Sequence, residues 1–95
     1  MHYRITRLKH SEENQSKVIA YLESVTEQIE SIEGLLSITL VSVSNTETLG
    51  LSKYESEEKM VNANPIQQII LSGAVEFFSG VPEVENGDVL WKWIR

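Results

Sequence analysis

This sequence predicts an α+β fold in the order strand–helix–strand–strand–helix–strand, and three stretches predict it. Residues 35–54 read as a β-hairpin. Leu36, Ile38 and Leu40 recur at every second position, as do Leu49 and Leu51 after the polar break Ser44-Asn45-Thr46-Glu47. A period of two places each set on one face of a strand. Before the hairpin, Val18, Leu22, Val25, Ile29 and Ile32 fall three or four residues apart, the stripe of an amphipathic helix. After it, Ser56-Glu57-Glu58 is a helix start: a hydroxyl to cap free backbone N–H groups, then two acids at the positive end of the helix dipole.

In chain order, residues 2–9 form a first strand, with Tyr3 and Ile5 on one face and Arg4, Thr6 and Leu8 on the other. Ser11-Glu12-Glu13 is a second start of the same kind. The helix it opens runs to Glu33, where Gly34 supplies a left-handed cap. Glu23, Glu27 and Glu30 populate its outer face as a solvated surface. In the second helical region Asn64-Pro65 forces a break, because proline suits a first turn and not a helix interior. A short helix to about Ala63 is therefore followed by another from Pro65. Ile66, Ile69, Ile70, Gly73, Ala74 and Phe77 keep one face of it apolar. Gly73 and Ala74 leave that face thin, which predicts a close backbone contact or a cavity. Ser79-Gly80 and Pro82 end the helix, and Asn86-Gly87 marks a turn. Val89, Trp91 and Trp93 against Leu90, Lys92 and Ile94 then predict a last strand, apolar on both sides.

These elements assemble into a four-stranded antiparallel sheet with the helices on one face, the ferredoxin-like βαββαβ plait. Residues 1–95 are expected to form a single domain, large enough for one core. Val41, Val43, Leu90 and Ile94 put apolar groups on both parities of the strands. A sheet apolar on both faces needs a second cover, and another copy related by a two-fold axis supplies it most simply. A homodimer paired through the sheet face is expected.

Composition narrows the partners. The apolar fraction of 41% and charged fraction of 23% are those of a globular chain. With no cysteine there is no disulfide frame, thiolate metal site or thiol nucleophile. No apolar run approaches the roughly 20 residues of a membrane span, and Met1-His2-Tyr3-Arg4 leads into a strand rather than a signal-peptide core. A cytoplasmic location with no membrane partner is the expectation. The net charge is −6. Residues 1–10 carry Arg4, Arg7 and Lys9, residues 89–95 carry Lys92 and Arg95, and all 14 acids lie between. Such a surface repels nucleic-acid phosphates.

Three segments carry a resemblance. Glu33-Gly34-Leu35-Leu36 is a helix-end glycine before the second strand; Ser52-Lys53-Tyr54-Glu55-Ser56 is a strand-to-helix junction; Gly80-Val81-Pro82-Glu83-Val84 precedes the final strand. Together they span nearly the whole chain, and the chain resembles the antibiotic biosynthesis monooxygenase family of dimeric α/β barrels. The resemblance implies two sheets paired in a dimeric barrel and, as in several members, a pocket between sheet and helices. The family's haem-degrading branch uses an asparagine on the first strand, with tryptophan and histidine in the second helical region. Here Thr6 stands nearest that asparagine and residues 57–79 contain neither Trp nor His, so haem degradation is not expected. The family's cofactor-free oxygenases use Asn, Trp and Tyr near the third strand and following helix. Tyr54 falls at a recognisable position, at a junction where tryptophan is usual, with Asn62 and Asn64 beyond it.

Cofactor-free oxygenation asks the protein to hold an aromatic substrate in a dry pocket and assist one proton transfer. Tyr3, Tyr54 and Trp91 are candidates to line such a pocket, Arg4 or Lys92 to bind an acidic oxygen, and Tyr54 to act catalytically. Buried Tyr and Trp ordinarily serve as core with their polar tips bonded. With the first and last strands as neighbours, Arg4 and Lys92 lie close together, and like charges there call for an anion between them. A carboxylate such as Glu83 or Glu85 of the partner subunit is preferred for it over a ligand carboxylate. His2 and His10 lie at opposite ends of the first strand, and no spacing resembles a metal site. No nucleophilic triad or phosphate loop is present. The preferred reading is a homodimer that binds a small apolar or aromatic metabolite, with no cofactor. The alternatives are a cofactor-independent monooxygenase or isomerase, and a structural or interaction dimer without ligand.

Overall fold

The computed structural model describes residues 1–95. Its strands are β1 (His2–Lys9), β2 (Leu35–Ser44), β3 (Glu47–Tyr54) and β4 (Glu83–Asp88). Helices α1 (Asn14–Ser24) and α2 (Thr26–Glu30) lie between β1 and β2; α3 (Glu57–Asn62), α4 (Asn64–Ser72) and a 3-10 turn at Val75–Phe77 lie between β3 and β4. The sheet has the order β2-β3-β1-β4, every pair antiparallel. This is the ferredoxin-like plait the sequence predicts.

Alternation along the strands sorts the side chains. His2, Arg4, Thr6 and Leu8 on β1, with Thr48, Gly50 and Tyr54 on β3, are buried beneath the helices. Tyr3, Ile5 and Arg7 share the opposite face with Leu49, Leu51 and Lys53, and all are half-buried. That second face has no cover within the chain. The core is built from Ile32, Tyr54, Met60, Ala63 and Ile70, with Tyr21, Leu22, Val25, Ile29, Leu35 and Ile66 packed around them.

The hairpin, the Ser56 cap and the break before Pro65 form as expected. Ser56 accepts a hydrogen bond from the Lys59 backbone N–H at 3.2 Å, and α3 gives way to α4 at Ala63. Gly34 adopts φ +83°, and a Cβ there would come within 2.6 Å of Lys59 Cβ, so both conformation and space demand glycine. At the thin face of the second helical region, Tyr21 fills the gap that Gly73 leaves. Its hydroxyl donates to the Ile70 carbonyl at 2.6 Å, and an added Cβ at Gly73 would lie 2.1 Å from that oxygen. A close contact is present there, made by a side chain rather than by backbone.

Four expectations are corrected. The first helix is two helices, because Val25 sits at φ −109°, ψ 22°. On either side of it Ser24 and Thr26 hydroxyls bond the carbonyls of Tyr21 and Glu23, competing with the helical ladder. Ser11 does not cap α1, which begins at Asn14 with no side-chain cap; the Ser11 carbonyl instead meets the His10 ring at 2.9 Å. Ile69, expected on the apolar face of α4, is exposed, and Ile70 and Ala74 face inward.

The last strand differs most. It is β4, Glu83–Asp88, so Asn86-Gly87 lies within a strand and not in a turn, and residues 89–95 lie outside the sheet. Strand β1 decides this. His2 pairs with Asp88, and one further bond, from the Val89 N–H to the Met1 carbonyl at 3.0 Å, follows the ladder.

Candidate functional site

Between the inner sheet face and the helices lies a cavity of about 90 Å³. Leu22, Ile29 and Ile32 from α1–α2 and the following loop roof it with Ile70 and Leu71 from α4, and Ile38 and Leu40 form its floor on β2. Its polar groups are few: Thr6, Ser52, Gln67 and Tyr54. Gly50 leaves the floor open, with Leu40 Cδ2 at 3.4 Å and the Thr6 carbonyl at 3.7 Å from where its Cβ would stand. On the β2 edge a wider groove of about 470 Å³ shares Leu22, Ile29, Ile32, Ile38 and Leu40 with the cavity. The groove therefore reaches the outer side of the same apolar wall. A mainly apolar chamber with a few convergent polar groups is the usual form of a small-molecule site.

Tyr54 is the best-placed polar group. It closes β3, is 1% exposed, and lines the cavity. Its hydroxyl accepts from Arg4 Nη1 at 3.1 Å, and the guanidinium carbon stands 5.4 Å from the ring centroid. The only hydrogen bond at this hydroxyl is the one from Arg4. Burial pushes the Tyr54 hydroxyl above the usual phenol range, with the Arg4 charge acting in the opposite sense. It is therefore a neutral hydrogen-bond donor at physiological pH.

Arg4 is itself 3% exposed and has no carboxylate partner. Nη2 donates to the Met60 carbonyl at 3.1 Å and to Asn64 Oδ1. These acceptors come from the α3–α4 junction that the Asn64-Pro65 break creates. A buried cation held only by neutral acceptors carries its charge toward Tyr54 with little local compensation.

The other candidates are dispersed. Tyr3 lies on the opposite sheet face, paired with Lys53 and Gly87. Trp91 and Lys92 follow β4 in the exposed C-terminal segment. The expected Arg4–Lys92 neighbourhood is corrected: Arg4 pairs across β4 with Asn86, since the ladder ends before Lys92. Glu83 and Glu85 pair with Arg7 and Ile5 on the face opposite Arg4. Gln67 is the additional polar group of the cavity and carries no local sequence signal; Asn64, named beside Tyr54 in the sequence, reaches the site by accepting from Arg4.

The histidines occupy separate polar sites at the two ends of β1. His2 places Nδ1 2.6 Å from Asp88 Oδ1 and Nε2 2.9 Å from Asn86 Oδ1. Bonding to Asp88, then to Asn86, raises its pKa. His10 bonds the Ser11 carbonyl and Thr48 Oγ1. No group of three or more His, Asp or Glu side chains gathers to hold a metal ion.

No protein-family model matches this chain, and no curated protein matches it significantly. Solved structures do. The ActVA-Orf6 monooxygenase of Streptomyces coelicolor, solved with nanaomycin D, is 17% identical and superposes with a TM-score of 0.83, covering 99% of this chain and 91% of its own. The two chains share the ferredoxin-like fold. A dimeric ferredoxin-like protein from an uncultured marine organism gives a TM-score of 0.80 at 16% identity, over 99% of this chain and 91% of that one. A further structure described as an antibiotic biosynthesis monooxygenase gives 0.71 at 11% identity, over 95% and 99%. At these identities the likeness establishes the ferredoxin-like fold and nothing about chemistry.

Proposed function

We propose that this protein is a homodimer that binds a small apolar or aromatic molecule between sheet and helices. The observation that carries the reading is Tyr54: a buried residue that lines a mainly apolar cavity and whose neutral hydroxyl accepts from Arg4. An aromatic ligand bearing one carbonyl or phenolate oxygen suits that arrangement. The oxygen would accept from Tyr54 while the ring lies against Ile38, Leu40 and Ile70. A cavity of 90 Å³ is small for such a ring, so binding involves displacement of the Leu22–Ile29–Ile38 wall toward the edge groove. The dimer reading is supported by the uncovered face of Tyr3, Ile5, Leu49 and Leu51 and by the dimeric neighbour of the same fold. In this reading Tyr3 belongs to the subunit interface. Residues 1–95 act as one domain, and the cytoplasm is the proposed location; no helix is long and apolar enough to cross a membrane.

A second reading, cofactor-independent monooxygenation or isomerisation, is favoured by the same pair. A substrate that enters as its phenolate, its proton left in solvent, brings an anion that a preorganised donor backed by a buried cation would stabilise, with dioxygen as the co-substrate that oxidises it. Tyr54 would then donate to the developing oxyanion with Arg4 positioning it. Native mass spectrometry of gently purified protein tests both readings. A dimer carrying a bound small molecule that Tyr54→Phe releases is expected. A monomer, or a dimer that takes up no aromatic compound, would overturn the binding reading.

A further inference from the structure

Apart from Tyr54, five residues with polar side chains are buried: His2, Arg4, Thr6, His10 and Thr48. Four of them are hydrogen-bonded through their side chains, His2 to Asp88 and Asn86, Arg4 to Tyr54, and His10 to Thr48. Thr6, 8% exposed, is the exception, with no partner for its hydroxyl in the chain. Ser52 and Gln67, both half-buried, likewise make no side-chain hydrogen bond. All three line the cavity between sheet and helices. No side-chain oxygen or nitrogen of the protein is both sealed from water and unpaired, so these groups face open space, and the cavity is the space they border. An unpaired hydroxyl in an apolar wall lowers stability unless something else bonds it. Valine would fill the same place on a strand without that cost.

The three groups are placed in order. Tyr54 pairs with His2, Ser52 with Arg4, and Gly50 with Thr6. Ser52 and Thr6 therefore follow Tyr54 along the inner face in steps of two residues, about 7 Å each. Gly50 leaves Thr6 accessible: a Cβ at that position would stand 3.8 Å from the Thr6 Cβ and crowd the approach to its hydroxyl. Gln67 comes from α4, three and four residues before Ile70 and Leu71, and shares their helix face. No charged side chain lines the cavity, since Arg4 turns its nitrogens to Tyr54, Met60 and Asn64.

We propose that Thr6, Ser52 and Gln67 form a second polar subsite, which selects ligands carrying an uncharged hydroxyl at the end away from Tyr54. The inference rests on the reading of the cavity as a binding site and specifies the class of molecule it takes: a ring with neutral oxygen functions at opposite ends. The Thr6 and Ser52 hydroxyls donate or accept, and the Gln67 amide does both. A ligand hydroxyl there finds an acceptor for its proton and donors for its oxygen. A ligand that displaces water from these groups without replacing the bonds loses affinity. An ionised carboxylate is desolvated there without a counter-charge.

The test compares three probes built on one ring by calorimetric titration of the full chain at neutral pH: 4-methylphenol, 4-(hydroxymethyl)phenol and 4-hydroxybenzoate. Wild type should bind the hydroxymethyl compound most tightly and the carboxylate least. Thr6→Val should shift the ratio of the first two affinities about tenfold toward 4-methylphenol, the effect of one lost hydrogen bond, and Gln67→Leu should move it the same way. Thr6→Val should also melt no lower than wild type, because the hydroxyl it removes holds nothing in the folded chain. A lower Tm would mark that hydroxyl as structural and overturn the subsite. A ratio unchanged in both variants, or a carboxylate bound as tightly as the alcohol, overturns the subsite while the cavity reading stands. Failure of all three probes to bind overturns the cavity reading and the subsite with it.

Discussion

Tyr54→Phe is the most informative single change. It keeps the buried ring and removes the oxygen that accepts from Arg4 Nη1 at 3.1 Å. Nη2 keeps Met60 and Asn64, so one charged N–H loses its partner in a site closed to water. Hydrogen bonds to charged groups contribute about 1.5–3 kcal/mol, and an orphaned buried donor costs about as much as the bond contributed. A destabilisation of about 2 kcal/mol follows, a fall in Tm of roughly 10 °C for a domain of this size. The assay is urea unfolding of wild type, Tyr54→Phe, Arg4→Met and the double variant. With Arg4 gone, removing the hydroxyl should cost much less, so the cycle should give a coupling of at least about 1 kcal/mol. Ligand affinity should fall about tenfold in Tyr54→Phe at temperatures where the variant is fully folded. Additive single effects, or a variant as stable as wild type with unchanged affinity, would refute the Arg4–Tyr54 reasoning.

Two further outcomes test the packing and the pH response. Gly73→Ala should destabilise by about 1–3 kcal/mol, since the new methyl overlaps the Tyr21 hydroxyl and overpacking outweighs the helical gain. In a Tyr21→Ala background the same change should become neutral or stabilising in urea melts. His2 holds its proton more tightly when folded. Its contribution is therefore complete below its unfolded pKa of about 6.5 and is lost as pH rises through the higher folded value. The Asp88 carboxyl is lowered by the same bond; its contribution holds above the ordinary carboxylate range and fades as pH falls through the depressed folded value. Stability followed from pH 3 to 9 should thus lose its neutral-to-alkaline decline in His2→Gln; an unchanged profile would remove His2 as the cause.

The fold was legible wherever local pattern and long-range pairing agree. Alternation at Leu36, Ile38 and Leu40, the Ser56 cap and the Asn64-Pro65 break each act over a few residues, and each reads directly. The last strand was not legible. Residues 89–94 alternate more strongly than Glu-Val-Glu-Asn-Gly-Asp, yet His2 fixes the ladder to Asp88, and a strand needs a partner more than a pattern. The split at Val25 failed for a similar reason: the apolar stripe continues through it while hydroxyls at Ser24 and Thr26 redirect the backbone. For the site, alternation alone places Tyr3 and Arg4 on opposite faces. That Arg4 reaches Tyr54 and the carbonyl of Met60, some fifty residues away, depends on strand register and helix placement, which no local signal carries.

Gly50 has a consequence beyond its own contacts. The cavity floor there is defined by a side chain that is missing, on a strand whose backbone is fixed by neighbours on both sides. One methyl group at that position would fill roughly the space of a water molecule, about 30 Å³, against a chamber of about 90 Å³. Under the proposed binding reading, a single codon change thus alters which ligands fit without disturbing the scaffold.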